Sequence, residues 1–149
     1  MTSGPSRRTL LAAVGGATAL GGGWLGARAV APAGTVDGRL IVGTRVDDGT
    51  LVDETPIFTE YDDPDGPTER NVDSDYGDVF PEESPVTVSR SLHRRLADDF
   101  DEVNYYVRHD CPDARCSTPE IGRQAFNDLR LGDRVRLLYG PGVRAYVVP

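Results

Sequence analysis

The fold is decided by residues 39–53, RLIVGTRVDDGTLVD. The first eight of these residues are rich in β-branched side chains and predict a β-strand. The Asp-Asp-Gly turn that follows supplies the positive φ angle of a tight hairpin, so the chain is expected to return as a second strand over residues 50–53. This strand continues over residues 56–59, where Pro56 indicates an edge position or a bulge.

A helix and a strand are predicted next in the chain. Ser89 is a suitable N-cap, and the spacing of Leu92, Leu96 and Phe100 gives one apolar stripe of an amphipathic helix. The aromatic and β-branched residues 103–108 then predict a strand.

The rest of the chain predicts a second helix and a C-terminal hairpin. The helix is expected to open at Thr118, with Pro119 in its first turn, and its apolar face is formed by Ile121, Ala125 and Leu129. Residues 133–139 alternate as a strand should, with Val135 and Leu137 on one face, and residues 143–148 return after the turn Gly140-Pro141-Gly142. Residues 86–88 predict a further brief strand.

These elements predict an α+β domain. We expect a small, mostly antiparallel β-sheet or a partly open β-barrel of five or six strands, with two short helices. Residues 30–36 are interpreted as a tether and residues 37–149 as a single acidic, β-rich domain. Residues 60–85 hold acids, prolines and glycines without periodicity, and predict a long exposed acidic loop.

The charge balance restricts the partners of this domain. The chain has 24 acidic residues, of which 17 are Asp, and its 16 basic residues are all Arg. Three of these arginines lie in the first 29 residues, which contain no acid, so residues 30–149 carry 13 basic and 24 acidic residues and a net charge of −11. Such a surface repels nucleic acid and anionic lipid headgroups. Abundant Asp, absent Lys and abundant Arg resemble the composition of exported proteins from extremely halophilic archaea.

The N-terminus has the pattern of an export signal. Arg7 and Arg8 precede Leu10 and Leu11, and an uncharged, Gly- and Ala-rich run continues through Ala27. The Arg pair followed by two leucines resembles the twin-arginine signal. This resemblance implies contact with the twin-arginine translocase, export of an already folded domain and a location outside the cytoplasm.

The end of this signal predicts a cleavage site. Ala27-Arg28-Ala29 fits the small-x-small pattern, so residues 1–29 are expected to be removed and the mature chain to begin near Val30. The alternative is a retained leader that anchors the domain in the membrane, although the six glycines of the uncharged run make a poor membrane helix.

The two cysteines have two interpretations. Cys111 and Cys116 are expected to form a structural disulfide, because an exported protein meets an oxidising environment. The alternative is a zinc or copper site formed with His109, since thiolates and imidazole suit these metals. The other histidine, His93, is expected on an exposed helix surface.

A second candidate metal site lies in the acidic loop. Asp73, Asp75 and Asp78 alternate as the ligands of part of a calcium loop do. A solvated loop explains the same residues, because acidic runs arise freely in an Asp-rich chain.

The sequence therefore predicts an accessory domain at the cell surface or outside the cell, and a binding or structural module without enzymatic activity. No cofactor is required by its motifs. The alternatives are a small metal-binding protein or enzyme that uses the His109–Cys116 region, and a calcium-stabilised surface protein.

Overall fold

The computed structural model describes residues 33–82, 84–110, 118–138 and 144–147, with the side chains of 138 and 144–147 excepted. Seven strands and two α-helices lie within these ranges, together with a 3₁₀ turn at Ser74–Tyr76. The strands are β1 (Ala33–Asp47), β2 (Thr50–Tyr61), β3 (Glu69–Val72), β4 (Glu102–Asp110), β5 (Glu120–Ile121), β6 (Arg134–Leu138) and β7 (Arg144–Val147). The helices are α1 (Arg90–Ala97) and α2 (Arg123–Asp128).

All the strands belong to one antiparallel sheet. Its main order is β3-β2-β1-β4-β5, while β6 pairs with the start of β1 and with β7. The prediction of an α+β fold with a mostly antiparallel sheet and two short helices is confirmed. The partly open barrel is wrong: the sheet is open, and within the described ranges no pairing joins its outer strands.

The β1–β2 hairpin forms as the sequence predicts. Asp48 and Gly49 have φ angles of 48° and 76°, the positive values that the two-residue turn requires. The pairing register shifts between Ile41 and Val42, opposite Pro56, so the bulge predicted at this proline is also confirmed. The long central strand thereby keeps its pairing with β2 on both sides of the proline.

The end of this hairpin extends past the neighbouring strand. β4 pairs with β1 only as far as Thr44, and Leu51 and Val52 beyond it are 56% and 64% exposed. Two apolar side chains on a surface are ordinary and carry no functional argument by themselves.

The predicted tether and acidic loop are both shorter than expected. Residues 33–36 belong to β1, and Val36 is fully buried. Its backbone N–H and C=O bond to Asp133 and Gly132 at 2.9 and 2.8 Å. The prediction that residues 60–85 form one loop is wrong in part. β2 continues to Tyr61, and β3 pairs with it as a polar edge strand.

Helix α1 forms where it is predicted, but it ends at Ala97, so Phe100 lies beyond the helix and not on its apolar stripe. The Ser89 hydroxyl accepts the Leu92 N–H at 3.1 Å, and Leu92, Leu96 and Phe100 are all buried. Satisfying one exposed N–H at the start of a helix stabilises it by about 1 kcal/mol.

The second helix begins later than predicted. Glu120 and Ile121 form β5, in register with Tyr106 and Tyr105 of β4, and the helix starts only at Arg123. Ile121 is buried in the sheet, so its apolar side chain is removed from water without a place on the helix.

The strand predicted at residues 86–88 does not form. Val86 and Val88 are nevertheless fully buried, and the Asn127 side chain bonds both the N–H and the C=O of Val88, at 2.8 and 2.9 Å. A side chain of α2 thus takes the place of a neighbouring strand.

The C-terminal hairpin agrees with its alternating pattern. Val135 and Leu137 of β6 are buried, whereas Arg134 is exposed, and β6 pairs with β7. The turn predicted at 140–142 lies outside the described residues. The buried side chains of sheet, helices and loops form one core, which includes Ile41, Phe58, Tyr76, Leu96, Tyr105, Phe126 and Val135.

None of the helices within the described ranges is long and apolar enough to cross a membrane. The predicted leader, residues 1–29, lies outside these ranges.

Candidate functional site

Two central strands place opposite charges inside the core. Arg39 of β1 is the register partner of Glu60 of β2, and the two residues are 0% and 2% exposed. The Arg39 Nη1 and Glu60 Oε2 atoms are 3.1 Å apart. Each charge would be strongly unfavourable at this depth alone, so the two are found together.

The remaining polar atoms of this pair bind the segments around it. Arg39 Nη2 donates to the backbone oxygens of Val86 and Phe126, both at 2.9 Å, and Glu60 Oε1 accepts the Ser84 hydroxyl at 3.1 Å. The Arg39 guanidinium also lies 4.2 Å from the centre of the Phe126 ring. The pair therefore fixes β1, β2, residues 84–88 and α2 relative to one another.

Arg39 stays charged in this setting. Burial lowers the pKa of Arg39, and attraction by Glu60 opposes that effect. The ordinary pKa of a guanidinium lies so far above neutral pH that the group keeps its proton under ordinary conditions. Among the described residues, Nε is the one polar atom of this side chain that is buried without a hydrogen-bond partner.

A cleft of about 490 Å³ opens beside Glu60, and we call it the Glu60 cleft. Its walls come from the end of β2, from β3, from the segment before α1 and from the residues after α2. The lining residues are Glu60, Asp62, Thr68, Arg70, Glu82, Ser84, Pro85, Arg130 and Leu131. This volume suits a small molecule.

The cleft has one firmly positioned cation and one exposed cation. Arg70 donates to the backbone oxygens of Pro81 and of Glu82, the latter at 3.0 Å, and its guanidinium lies 5.4 Å from the centre of the Phe58 ring. Arg130 is exposed at the opposite wall. Repulsion by Arg130 and Arg70 contributes to lowering the pKa of Arg39, so the three positive charges influence one another.

The first predicted metal ligand is buried away from this cleft. His109 is 3% exposed, and its Nε2–H donates to the Val135 backbone oxygen at 3.2 Å. Its Nδ1 is buried and has no hydrogen-bond partner among the described residues. Cys111 and Cys116 lie outside the described residues, so their disulfide and the metal site with His109 remain predictions.

The predicted calcium ligands are engaged locally or exposed. Asp73 Oδ1 accepts the Asp75 N–H at 2.9 Å and caps the 3₁₀ turn, while Asp75 and Asp78 face solvent. Within the described part of the chain no three His, Cys, Asp or Glu residues are grouped closely enough to hold a metal ion. The calcium site stays a prediction.

His93 differs from its expected exposed position. It is half-buried, and its Nδ1 lies 2.6 Å from the hydroxyl of Tyr105. Tyr105 itself is buried against Phe126, with ring centres 5.4 Å apart. This contact joins α1 to β4.

Alkaline pH is expected to destabilise the protein through Tyr105. Burial raises the pKa of Tyr105 to about 12, from an ordinary value near 10. The folded state then holds this proton more tightly than the unfolded state, so the stability present below pH 10 is lost as the pH rises towards 12. The free energy of unfolding should fall by about 2–3 kcal/mol over this interval, measured by urea titration. The chain has no Lys to titrate in the same range.

The Tyr105→Phe variant is the control for this pH dependence. It removes the titrating hydroxyl, so the slope between pH 10 and 12 should become shallower. A slope equal to that of the unaltered protein would contradict the assignment to Tyr105.

The buried ion pair of Arg39 and Glu60 was not predicted from the sequence, although the spacing of both residues from apolar residues indicates it in part. Arg39 stands two residues before Ile41, and Glu60 two residues after Phe58. Side chains two apart in a strand share a face, so Arg39 is at an inward position, and so is Glu60 once β2 is extended beyond its predicted end at residue 59. Two opposite charges at inward positions of one hairpin indicate a buried ion pair.

Comparison with known proteins gives no match to a protein family, to a curated protein or to a solved structure.

Proposed function

We propose that this protein is an exported binding module that holds a small ligand in the Glu60 cleft and has no enzymatic activity. The observation that carries this proposal is the arrangement of the cleft over a buried ion pair. Arg39 and Glu60 tie its walls together, so the cleft is formed before any ligand arrives. A preformed site avoids the cost of ordering its walls on binding.

The leader and the composition support the location of this module. The Arg7-Arg8 pair with Leu10 and Leu11 resembles a twin-arginine signal, and the acidic excess of residues 30–149 suits a protein outside a cell in concentrated salt. The twin-arginine translocase would be its partner during export. If the leader is cleaved after Ala29 the module is released, and if it is retained the module stays at the membrane.

Export is tested by expressing the full chain in a halophilic host with an active twin-arginine pathway. We expect a secreted product whose mass corresponds to a start near Val30. The Arg7→Lys, Arg8→Lys double variant should stay inside the cell. Equal secretion of both proteins would overturn this part of the proposal.

Binding is tested by nuclear magnetic resonance against a defined library of small acids, amino acids and sugars. At least one compound should shift backbone amides around the cleft in a saturable way. The Thr68→Trp variant places a ring at the cleft wall and should abolish these shifts, whereas Thr50→Trp at the exposed start of β2 should preserve them. The absence of any binder, or equal effects of the two variants, would contradict the proposal.

A second candidate function is metal handling near His109. It is favoured by two observations: within the described ranges Nδ1 of this buried ring has no hydrogen-bond partner, and the residue stands two positions before Cys111. Native mass spectrometry of the protein with added zinc tests it. One bound zinc in the unaltered protein, lost in His109→Ala, would support this function, whereas a metal-free protein with two thiol protons missing would support the disulfide.

A further inference from the structure

Two arginines of the Glu60 cleft are engaged differently from the arginines that form ion pairs. Arg39, Arg45, Arg95 and Arg108 each form an ion pair with a carboxylate. Arg70 and Arg130, the two arginines that line the cleft, form no such pair among the described residues. Two cations without a carboxylate partner in the described part of the chain thus line the same cleft.

Arg70 is held in place without losing its charge. Two of its five N–H groups donate to backbone oxygens, and the guanidinium lies over the Phe58 ring. These contacts fix the plane of the guanidinium, while its remaining N–H groups are left for a ligand. A guanidinium fixed in this way suits an acceptor with two oxygens, such as a carboxylate or a phosphate.

The carboxylates of the cleft do not cancel these cations directly. Glu60 forms an ion pair with Arg39 and accepts the Ser84 hydroxyl, and Asp62 accepts the Thr68 hydroxyl at 3.1 Å. Glu82 is exposed at the rim and makes no ion pair within the described ranges. Free acceptor oxygens of Asp62 and Glu82 can receive hydroxyl or ammonium groups of the same ligand.

We propose that the Glu60 cleft recognises a small molecule by its anionic group, a carboxylate or a phosphate, which Arg70 and Arg130 bind. This inference rests on the proposed binding function and adds the chemical class of the ligand. The acidic residues of the cleft select ligands that also carry hydrogen-bond donors, so a hydroxy acid, an amino acid or a sugar phosphate fits better than a simple anion.

The inference is tested on the full chain with four probes: lactate, glycerol 3-phosphate, inorganic phosphate and glycerol. Amide shifts are measured by nuclear magnetic resonance at constant ionic strength, so that general salt effects are equal in all titrations. We expect saturable binding of lactate or glycerol 3-phosphate, with shifts at the cleft, and none of glycerol. The relative affinities of the first two probes distinguish a carboxylate from a phosphate ligand.

Two variants with the same change of charge show whether the anion contacts the cleft. Arg130→Gln should weaken binding about tenfold or more, because it removes a charge-assisted contact. Arg134→Gln, at an exposed position of β6 that does not line the cleft, should change the affinity less than twofold. Arg130 is exposed, so the free energy of unfolding of its variant should stay close to that of the unaltered protein.

Failure of this inference is distinguishable from failure of the binding function. If no anion binds, or if Arg130→Gln and Arg134→Gln have equal effects, the anion assignment is wrong. A neutral compound that still shifts the cleft amides, and loses this effect in Thr68→Trp, would leave the binding function standing. If neither anionic nor neutral compounds shift those amides, both proposals fall.

Discussion

Replacing Glu60 by glutamine is expected to lower the free energy of unfolding by about 3–5 kcal/mol. The change keeps the size of the side chain but leaves the charge of Arg39 buried without its partner, at 0% exposure. Urea titration followed by circular dichroism measures the loss. Glu54→Gln is the matched control, because Glu54 is an exposed residue of the same strand, and its effect should stay within about 0.5 kcal/mol.

A double variant separates the charge from the packing. In Arg39→Met, Glu60→Gln the buried positive charge is gone, so the second substitution should cost far less than it does alone. The double variant still loses the donors to Val86 and Phe126 and stays less stable than the unaltered protein. Strictly additive losses would show that the two charges do not interact.

Replacing Phe126 by alanine is expected to cost about 3–5 kcal/mol, the second large effect. Phe126 is fully buried and contacts the rings of Phe58 and Tyr105, with centres 6.5 and 5.4 Å away, and the guanidinium of Arg39. It lies on α2, a helix too short to be stable without tertiary contacts. Thermal and urea unfolding should therefore both move to milder conditions.

Two further variants show which property of Phe126 accounts for the loss of stability in Phe126→Ala. Phe126→Leu retains most of the apolar volume but removes the aromatic face beneath Arg39, and should cost less than the alanine variant. Gln124→Ala changes an exposed residue of the same helix and should be close to neutral. If Gln124→Ala were as unstable as Phe126→Ala, a general sensitivity of the helix and not the loss of the buried ring would explain the effect.

The elements with a strong local pattern were predictable from sequence. The turn at Asp48 and Gly49, the cap at Ser89 and the alternation around Val135 each depend on interactions within a few residues. Local chemistry decides such features, so the sequence displays them directly.

The elements that depend on distant partners were harder to predict. β3 is a polar edge strand that exists because β2 pairs with it, and the start of β1 is ordered by β6 from the other end of the chain. Residues 86–88 have the composition of a strand, but Asn127 provides their hydrogen-bond partners. Local composition carries little information about such contacts.

Some residues of the Glu60 cleft could be predicted from the sequence, but the cleft itself could not. The inward position of Arg39 follows from alternation along its predicted strand, whereas that of Glu60 requires the continuation of β2 to Tyr61, a stretch that the sequence predicts as part of a loop. Arg70 and Arg130 are far apart in sequence, and nothing local to either residue shows that they line one cleft. The candidate metal residues, by contrast, were chosen by spacing along the chain, which does not determine proximity in the fold.

The pairing of β1 sets the order in which this protein can fold. Ala33 pairs with Arg136 and Thr35 with Asp110, so β1 finds some of its partners in strands that are synthesised much later than β1 itself. The native sheet is therefore completed only after β6 has been translated, and contacts so distant in sequence slow folding. Until then β1 is an apolar strand without its full set of partners, which makes the interval between synthesis and folding the stage most exposed to aggregation.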